Sequence, residues 1–336
     1  MTAKSDNSFT PPTPEQVSAY LRRCAPRVSR IWAAQAPLLL LIFAAVLTLF
    51  AKNAITAIIP WMILIGVISY ASFRVRRTRA LQARVQRVSE WTQLGQHPRA
   101  ARAIWPLLLE TQMMPEVHGK LVAMLAHNLD KLCAWASAQV AYDYLIDRMP
   151  ANHLGSVQLQ LQRTVLQLFN DELSTADQNL RKLRPQAITL KNTPICAMFS
   201  YASLLQQVQT HHFADAVAEN KSNLVQQLRI LGIDAGHGYA LLAWSYFKLA
   251  QRQQDDSSLM NQALVWWRKA NLLLSSSKLL ARQPQLKHLA AHAAYEAPAP
   301  GNTPASDTQN ACTNTKQGDR TNNNPRDIML NREDQV

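Results

Sequence analysis

Glycine and cysteine are both scarce in this chain, which has 9 glycines and 4 cysteines in 336 residues. Sandwiches, barrels and phosphate-binding loops use glycine at tight turns and close approaches, so the composition argues against all three. The cysteines, at positions 24, 133, 196 and 312, form no C-x-x-C pair. This spacing gives no sign of a zinc site or a disulfide framework. We therefore expect an all-α protein with reduced thiols.

Acidic residues are few as well, with 22 Asp and Glu against 35 Lys and Arg, and the net charge is +13. The imbalance is concentrated in residues 1–90, which hold 12 basic and 3 acidic residues. A nucleic-acid interface would need a basic stripe across a folded domain. Here the positive charge instead brackets an apolar stretch. We therefore predict that the basic residues flank membrane-spanning segments and that the protein has no nucleic-acid partner.

Charge is almost absent from residues 31–73, where Lys52 is the single charged residue. It separates 31–51 from 53–73, and each segment has 21 uncharged residues. At about 1.5 Å per residue, each segment is long enough to cross a hydrocarbon core of roughly 30 Å. We therefore predict an N-terminal transmembrane helical hairpin embedded in the lipid bilayer. The alternative is a pair of buried core helices.

Arginine clusters outside both predicted spans. The cluster comprises Arg22, Arg23, Arg27 and Arg30 before the first span, and Arg74, Arg76, Arg77, Arg79, Arg84 and Arg87 after the second. Because positively charged flanks stay on the cytoplasmic side, both termini are predicted to be cytoplasmic. The chain is then a two-pass protein of the cytoplasmic (inner) membrane, with a basic juxtamembrane helix over 74–90.

The cytoplasmic segment 1–30 contains a helix-start signal at Thr13-Pro14-Glu15-Gln16, with threonine as the N-cap and proline in the first turn. Val17, Leu21 and Cys24 follow on one helical face. Together with the adjacent arginines, this pattern favours a short amphipathic helix lying on the membrane surface. The alternative is a frayed leader with no role of its own.

A repeat follows the predicted hairpin. Its anchoring alanines are Ala100, Ala138, Ala176, Ala216 and Ala263, at intervals of 38, 38, 40 and 47 residues. Most of them are followed by apolar residues four and seven positions later, on the same helical face. This pattern predicts an α-solenoid of about five helix pairs over 91–291, with an insertion at 253–258. The alternative is an irregular bundle of about ten helices.

Ala138, Tyr142, Leu145 and Pro150 have the spacing of the second helix of a tetratricopeptide repeat, and this part of the chain resembles that family in a degenerate form. The resemblance implies paired helices that form a concave binding surface. The overall plan of residues 31–290, two spans followed by a basic stretch and helical repeats, is similar to the HemY family. That second similarity concerns architecture alone, since no motif is shared.

Three other features of the sequence bear on function. His288 and His292 have the i, i+4 spacing of metal ligands but lack the glutamate of H-E-x-x-H and a third ligand. The glycines between 232 and 238 are not spaced as a phosphate cradle, so we expect a flexible connection there. Residues 292–336 lose apolar periodicity and are predicted to be a disordered tail. We expect no catalytic residue, no metal and no cofactor.

The predicted concave surface supplies the candidate binding residues. They are Lys120, His127, Asp130 and Lys131 in the second pair, and Gln162 and Phe169 in the third. These side chains suit a cytoplasmic protein partner, so the sequence favours a membrane-anchored scaffold or assembly factor that is not an enzyme. The alternative is a helical membrane-bound enzyme or cofactor-handling protein that uses histidine and cysteine in a cleft. A pocket of convergent polar residues with shifted pKa values would favour this alternative, and a broad open groove would favour the scaffold.

Overall fold

The computed structural model describes residues 9–26, 54–111, 114–149, 154–220, 223–253 and 256–296. These residues form α-helices, two short 3-10 turns and connections, and no strand occurs among them. The all-α prediction is therefore confirmed for this part of the chain. Residues 1–294 form one compact unit, and of the second unit, 295–336, the structure describes the first two residues.

Consecutive helices pack against one another along most of the chain, which gives a solenoid-like arrangement. The helices are α1 Pro14–Cys24, α2 Ala54–Gln93, α3 His97–Glu110, α4 Pro115–Lys131, α5 Trp135–Ile146, α6 Leu154–Phe169, α7 Leu173–Thr189, α8 Pro194–Gln209, α9 Phe213–Asn220, α10 Leu224–Ile230, α11 Ala235–Arg252, α12 Ser257–Leu273, α13 Ser276–Arg282 and α14 Lys287–Glu296. The 3-10 turns are Gly232–Asp234 and Pro284–Leu286.

The same turn joins the two helices of the first four pairs. In each, the second residue after the helix has a left-handed backbone with φ between 58° and 73°; these residues are Gly95, Cys133, Asp171 and His211. The next amide donates to the carbonyl five residues earlier, as Gln96 does to Trp91 at 2.9 Å. This hydrogen bond and the left-handed residue together form a Schellman motif. Because the same turn recurs at the predicted period, it supports the predicted repeat of helix pairs.

The anchoring alanines occupy the interior of the fold. All five have no exposed surface, and each lies on the second helix of its pair. A side chain this small lets neighbouring helices approach closely, and larger residues such as Tyr142 and Trp267 fill the adjacent space at 3% and 5% exposure. The predicted five helix pairs are therefore present.

The longer fourth interval, between Ala216 and Ala263, has a different origin from the one predicted. The connection at 253–256 is short, and the additional length comes from α10 and the 3-10 turn before α11. Gly236 and Gly238 lie in α11 rather than in a flexible connection. A Cβ at Gly238 would stand 2.8 Å from Leu228 Cδ2, so the absent side chain lets α10 and α11 approach closely. The flexible-connection prediction is wrong.

Helix α1 begins with the predicted capping box, in which Thr13 and Gln16 exchange hydrogen bonds. Its apolar face, however, packs against α5 within the core, and Val17, Leu21 and Cys24 are almost completely buried. The Tyr20 hydroxyl donates to the Trp105 carbonyl at 2.6 Å. Because this face is covered by protein, the predicted position of α1 on a membrane surface is wrong.

Helix α2 covers most of the predicted second span and continues through the predicted basic juxtamembrane helix. Its C-terminal half is anchored to the solenoid by Leu81, Val85 and Val88, which are buried. Within the residues that the structure describes, no helix combines the length and the apolarity needed to cross a membrane. The predicted first span, 31–51, lies outside the described residues.

The predicted tail begins too early, since α14 continues through Glu296. Residues 297–336 lie outside the described residues.

Candidate functional site

A groove of about 710 Å³ runs along α4, α5 and α6, bounded at one edge by Pro26, two residues after the end of α1. Its lining includes Pro26, Lys120, Ala123, Arg148, Met149 and Leu159. Most of the lining is apolar, and Lys120 and Arg148 bring positive charge to it. Within the described residues Lys120 is exposed and makes no ion pair. The groove is therefore a mostly apolar surface with cationic groups that are accessible to a partner.

A smaller and more enclosed pocket of about 130 Å³, which we call the chamber, adjoins the groove. The two share His127, Tyr142 and Gln162 in their linings. The chamber is built from residues far apart in sequence. Its polar lining includes Asp130, Lys131, Tyr201, Asp234, His237 and Arg282.

Two ion pairs connect the end of α4 to the C-terminal part of the fold. The Arg282 guanidinium donates to both carboxylate oxygens of Asp130, at 3.0 and 3.3 Å. Lys131 Nζ lies 2.6 Å from an Asp234 carboxylate oxygen. The first pair is buried, with side-chain exposures of 9% for Arg282 and 17% for Asp130. The charges of the chamber are therefore already balanced by the protein itself.

The neutral polar residues of the chamber are strongly affected by burial. Burial, reinforced by Arg282 and Lys131, lowers the pKa of His237 to about 3. Burial also lowers the pKa of His127, with Lys131 acting in the same direction. The pKa of Tyr201 is raised to about 12, mainly by burial. Both imidazoles are therefore neutral near pH 7, and the phenol keeps its proton.

The structure brings most of the predicted binding residues onto one surface. Lys120 lines the groove, Asp130 and Lys131 line the chamber, and His127 and Gln162 line both. Phe169 lines neither; its ring stacks on Trp135 at 4.8 Å and lies 4.7 Å from the Arg282 guanidinium carbon. Five of the six residues therefore line two adjoining spaces, and their role in partner binding stays a prediction.

Lys131, a candidate binding residue of the predicted concave surface, is not an accessible cation. Its side chain is 22% exposed and is paired with Asp234. Asp130 is occupied in the same way by Arg282. These two residues therefore hold the fold together and are not available as a pair of partner contacts.

Sequence reasoning missed Tyr201, Asp234, His237 and Arg282. The glycine-containing stretch around 234 and 237 was recognised but interpreted as a connection. Arg282 gave no local signal, because its partner lies 152 residues away. A buried arginine requires a buried acid, but the sequence does not say which one.

The two histidines near the C-terminus have different surroundings. His288 is exposed, and the His292 ring packs against Phe247 with centroids 6.0 Å apart. No group of three or more potential metal ligands occurs within the described ranges. Cys24 and Cys196 are buried free thiols whose pKa values are raised by burial, so neither is an activated nucleophile.

The groove and the chamber together have features of both predicted classes. The groove is broad and open, as a scaffold requires, and the chamber collects polar residues with shifted pKa values. The chain matches no protein-family model, and comparison with curated proteins and with solved structures gives no match.

Proposed function

We propose that this protein is a membrane-anchored scaffold or assembly factor that binds a protein partner in the groove between α4 and α6. The proposal assigns binding, and not catalysis, to the groove. It includes the tetratricopeptide-like character of the repeats and the HemY-like overall plan, both of which rest on the sequence. The observation that carries it is the groove itself, where predicted concave residues line a mostly apolar surface beside accessible cations.

The charge of the groove favours an acidic partner. Lys120 is exposed, and Arg148 lies over the Tyr144 ring at 3.6 Å with its guanidinium donating to the Tyr144 carbonyl. Glu116 is the single acidic residue in the lining of the groove. A segment with apolar side chains and acidic neighbours would bury the former against the groove and place the latter near the two cations.

Membrane anchoring is supported by the N-terminal half of α2, where the described side chains are exposed. Residues 54–73 contain no charged side chain. Ile65, Ile68 and Phe73 are 61%, 55% and 63% exposed, and with Tyr70 they are distributed around the helix axis. Large apolar surfaces of this kind mark contact with a protein or a membrane. Because these exposed apolar residues lie on several sides of the helix, a bilayer is the better match.

The packing of α1 supports a hairpin. Helix α1 and the C-terminal half of α2 both pack on the solenoid, so the chain is on the same side of any membrane at Cys24 and at Leu81. A crossing by 54–73 then requires a second crossing in the segment before it, and 31–51 is the uncharged segment of sufficient length. This argument is independent of the positive flanks.

The groove would also lie close to the bilayer. Pro26, at its edge, precedes the proposed first span by five residues, which reach at most about 18 Å when fully extended. A partner in the groove would therefore be held near the membrane surface.

Charge reversal at Lys120 tests partner binding. The full chain, its Lys120→Glu variant and the matched Arg184→Glu variant would be crosslinked in intact cells and then purified in detergent. Arg184 is also exposed but lies on α7, outside the groove. We expect proteins recovered with the native chain and with Arg184→Glu to be lost with Lys120→Glu. Equal recovery by all three would remove the groove assignment.

Membrane topology is tested separately. Reporters fused before Met1 and after Val336 should both behave as cytoplasmic, and the chain should resist extraction by alkaline carbonate. Reporter activity on opposite sides of the membrane would contradict the hairpin.

A further inference from the structure

We propose that the chamber is a binding site for a small uncharged molecule with an apolar body and a polar end that both donates and accepts hydrogen bonds, as a primary amide does. This site is separate from the protein-binding role proposed for the groove. The ligand would enter through the groove, because His127, Tyr142 and Gln162 line both spaces.

Unmet hydrogen bonds in the chamber wall are the first argument. Tyr201 Oη, His237 Nδ1 and Arg282 Nε are buried and make no hydrogen bond of normal geometry, although the Tyr201 hydroxyl interacts with Arg282. The three residues are 7%, 8% and 9% exposed. Buried polar atoms are nearly always paired in folded proteins, because leaving one unpaired is costly. Three such atoms around one cavity indicate that a bound molecule supplies their missing hydrogen-bond partners.

The donor and acceptor inventory defines the polar end of the ligand. Arg282 Nε is a donor, the Tyr201 hydroxyl is both donor and acceptor, and neutral His237 offers one donor and one acceptor nitrogen. A ligand that only donates would leave Arg282 Nε unsatisfied, so the polar end must carry an acceptor, and a donor beside it can pair with Tyr201 or His237, both of which can also accept. An amide group carries both functions on adjacent atoms.

The charge balance of the chamber argues for an uncharged ligand. Asp130 is paired with Arg282 and Lys131 with Asp234, so both cations already have partners. Burial lowers the pKa of both His127 and His237, which keeps them neutral. An anion or a cation would bring an additional charge without a partner into a partly enclosed space, which is unfavourable.

The remaining wall is apolar and defines the body of the ligand. Val165, Leu166, Met198 and Leu231 line it. The cavity, about 130 Å³, is small for a cofactor, since pockets for drug-sized ligands are about 300–1,000 Å³. A molecule with a short branched aliphatic body fits both the size and the lining.

Methyl NMR on the full chain in lipid nanodiscs tests the site directly. Met198 lines the chamber and Met149 lines the groove, so ¹³C-methyl methionine labelling reports on each space separately. Their signals would be assigned with Met198→Leu and Met149→Leu variants. The probes are isobutyramide and isobutyrate, which differ mainly in charge. We expect isobutyramide to shift the Met198 signal saturably, with millimolar affinity, as a probe this small permits, and isobutyrate to have at least a tenfold weaker effect.

Conservative variants test whether the polar side chains of the chamber are responsible for isobutyramide binding. Tyr201→Phe removes one hydroxyl from the chamber, whereas Tyr239→Phe removes one from another buried position. Isobutyramide affinity should fall severalfold in the first variant and stay unchanged in the second, with both melting as cooperatively as the native chain. The proposal is overturned if Met198 does not respond, if Met149 alone responds, if isobutyrate binds more tightly, or if Tyr201→Phe binds as the native chain does. None of these results bears on partner recovery through Lys120.

Discussion

Asp130 and Arg282 form a buried ion pair between residues 152 positions apart, with the Arg282 guanidinium held between the Asp130 carboxylate and the Phe169 ring. Burial alone would lower the pKa of Arg282, but the Asp130 carboxylate raises it above its ordinary value. The pair therefore stays ionised and ties α13 to the end of α4. This contact holds the C-terminal part of the solenoid against its second helix pair.

Removing one member of the Asp130–Arg282 pair should lower the free energy of unfolding. Arg282→Leu leaves Asp130 buried without a partner, and we expect the free energy of unfolding to fall by about 3–5 kcal/mol. The double variant Asp130→Leu with Arg282→Leu should lose less, because no uncompensated charge remains. The comparison is Arg84→Leu, which breaks the exposed pair with Glu110 and should cost at most about 1 kcal/mol. Denaturant unfolding of the four proteins measures this, and similar losses for Arg282→Leu and Arg84→Leu would contradict the assignment.

Two aromatic residues fill the space between repeats. Tyr142→Ala and Trp267→Ala should each lower the free energy of unfolding by about 3–5 kcal/mol, because both side chains are almost completely buried. Leu272→Ala is the control: its side chain is 85% exposed, and the change should be within about 0.5 kcal/mol. Thermal melting of the full chain in detergent ranks the variants, and no difference between Tyr142→Ala and Leu272→Ala would show that the register is wrong.

The recurring left-handed turns predict opposite effects of two substitutions. Gly95→Ala places a Cβ on a residue with φ of 73° and should destabilise by about 1 kcal/mol. Asp171→Gly relieves the same conformation in the third pair, where φ is 61°, and should stabilise by up to about 1 kcal/mol. Gly119→Ala, inside α4 with open space around it, should also stabilise. A stabilising Gly95→Ala would be incompatible with the Schellman turn.

Stability should depend on pH through the buried histidines. In the folded state His237 has a pKa of about 3, below its ordinary value of 6.5. Between these two values the unfolded state takes up a proton that the folded state does not, so the free energy of unfolding falls as the pH falls from about 6.5 towards 3. His118 and His127, whose pKa values are also lowered by burial, act in the same direction.

Substitution isolates the contribution of His237. His237→Gln should flatten the pH profile of unfolding, whereas His288→Gln, on an exposed residue, should leave it unchanged. An unaltered slope in His237→Gln would show that the imidazole is not held neutral by the fold.

The helix pairs could be predicted from the sequence because their signals are local and repeated. Ala138 and Tyr142 are separated by one helical turn, and the same spacing recurs in other repeats. Helix α10 was missed because it has seven residues, too few to show apolar periodicity. The glycines of α11 were misinterpreted for a related reason: a glycine that allows helices to pack closely has the same sequence signature as one in a loop.

The groove was partly predictable and the chamber was not. Lys120 and His127 share a face of one helix, so helical periodicity placed them together. Arg282 and His237 reach the chamber through tertiary packing over more than one hundred residues, for which a single sequence carries no periodic signal. The prediction that α1 lies on a membrane surface was wrong for a similar reason. An apolar helical face has the same sequence pattern whether protein or lipid covers it.

The docking of α1 also imposes an order on biosynthesis. Helix α1 leaves the ribosome more than one hundred residues before α5, the helix that covers Val17 and Leu21. At a translation rate of about 5–20 residues per second, α5 is completed roughly 6–25 s after α1. Residues 31–73 are translated within this interval. The N-terminal helix thus joins the repeats only after the chain between them, and the second helix pair itself, have been made.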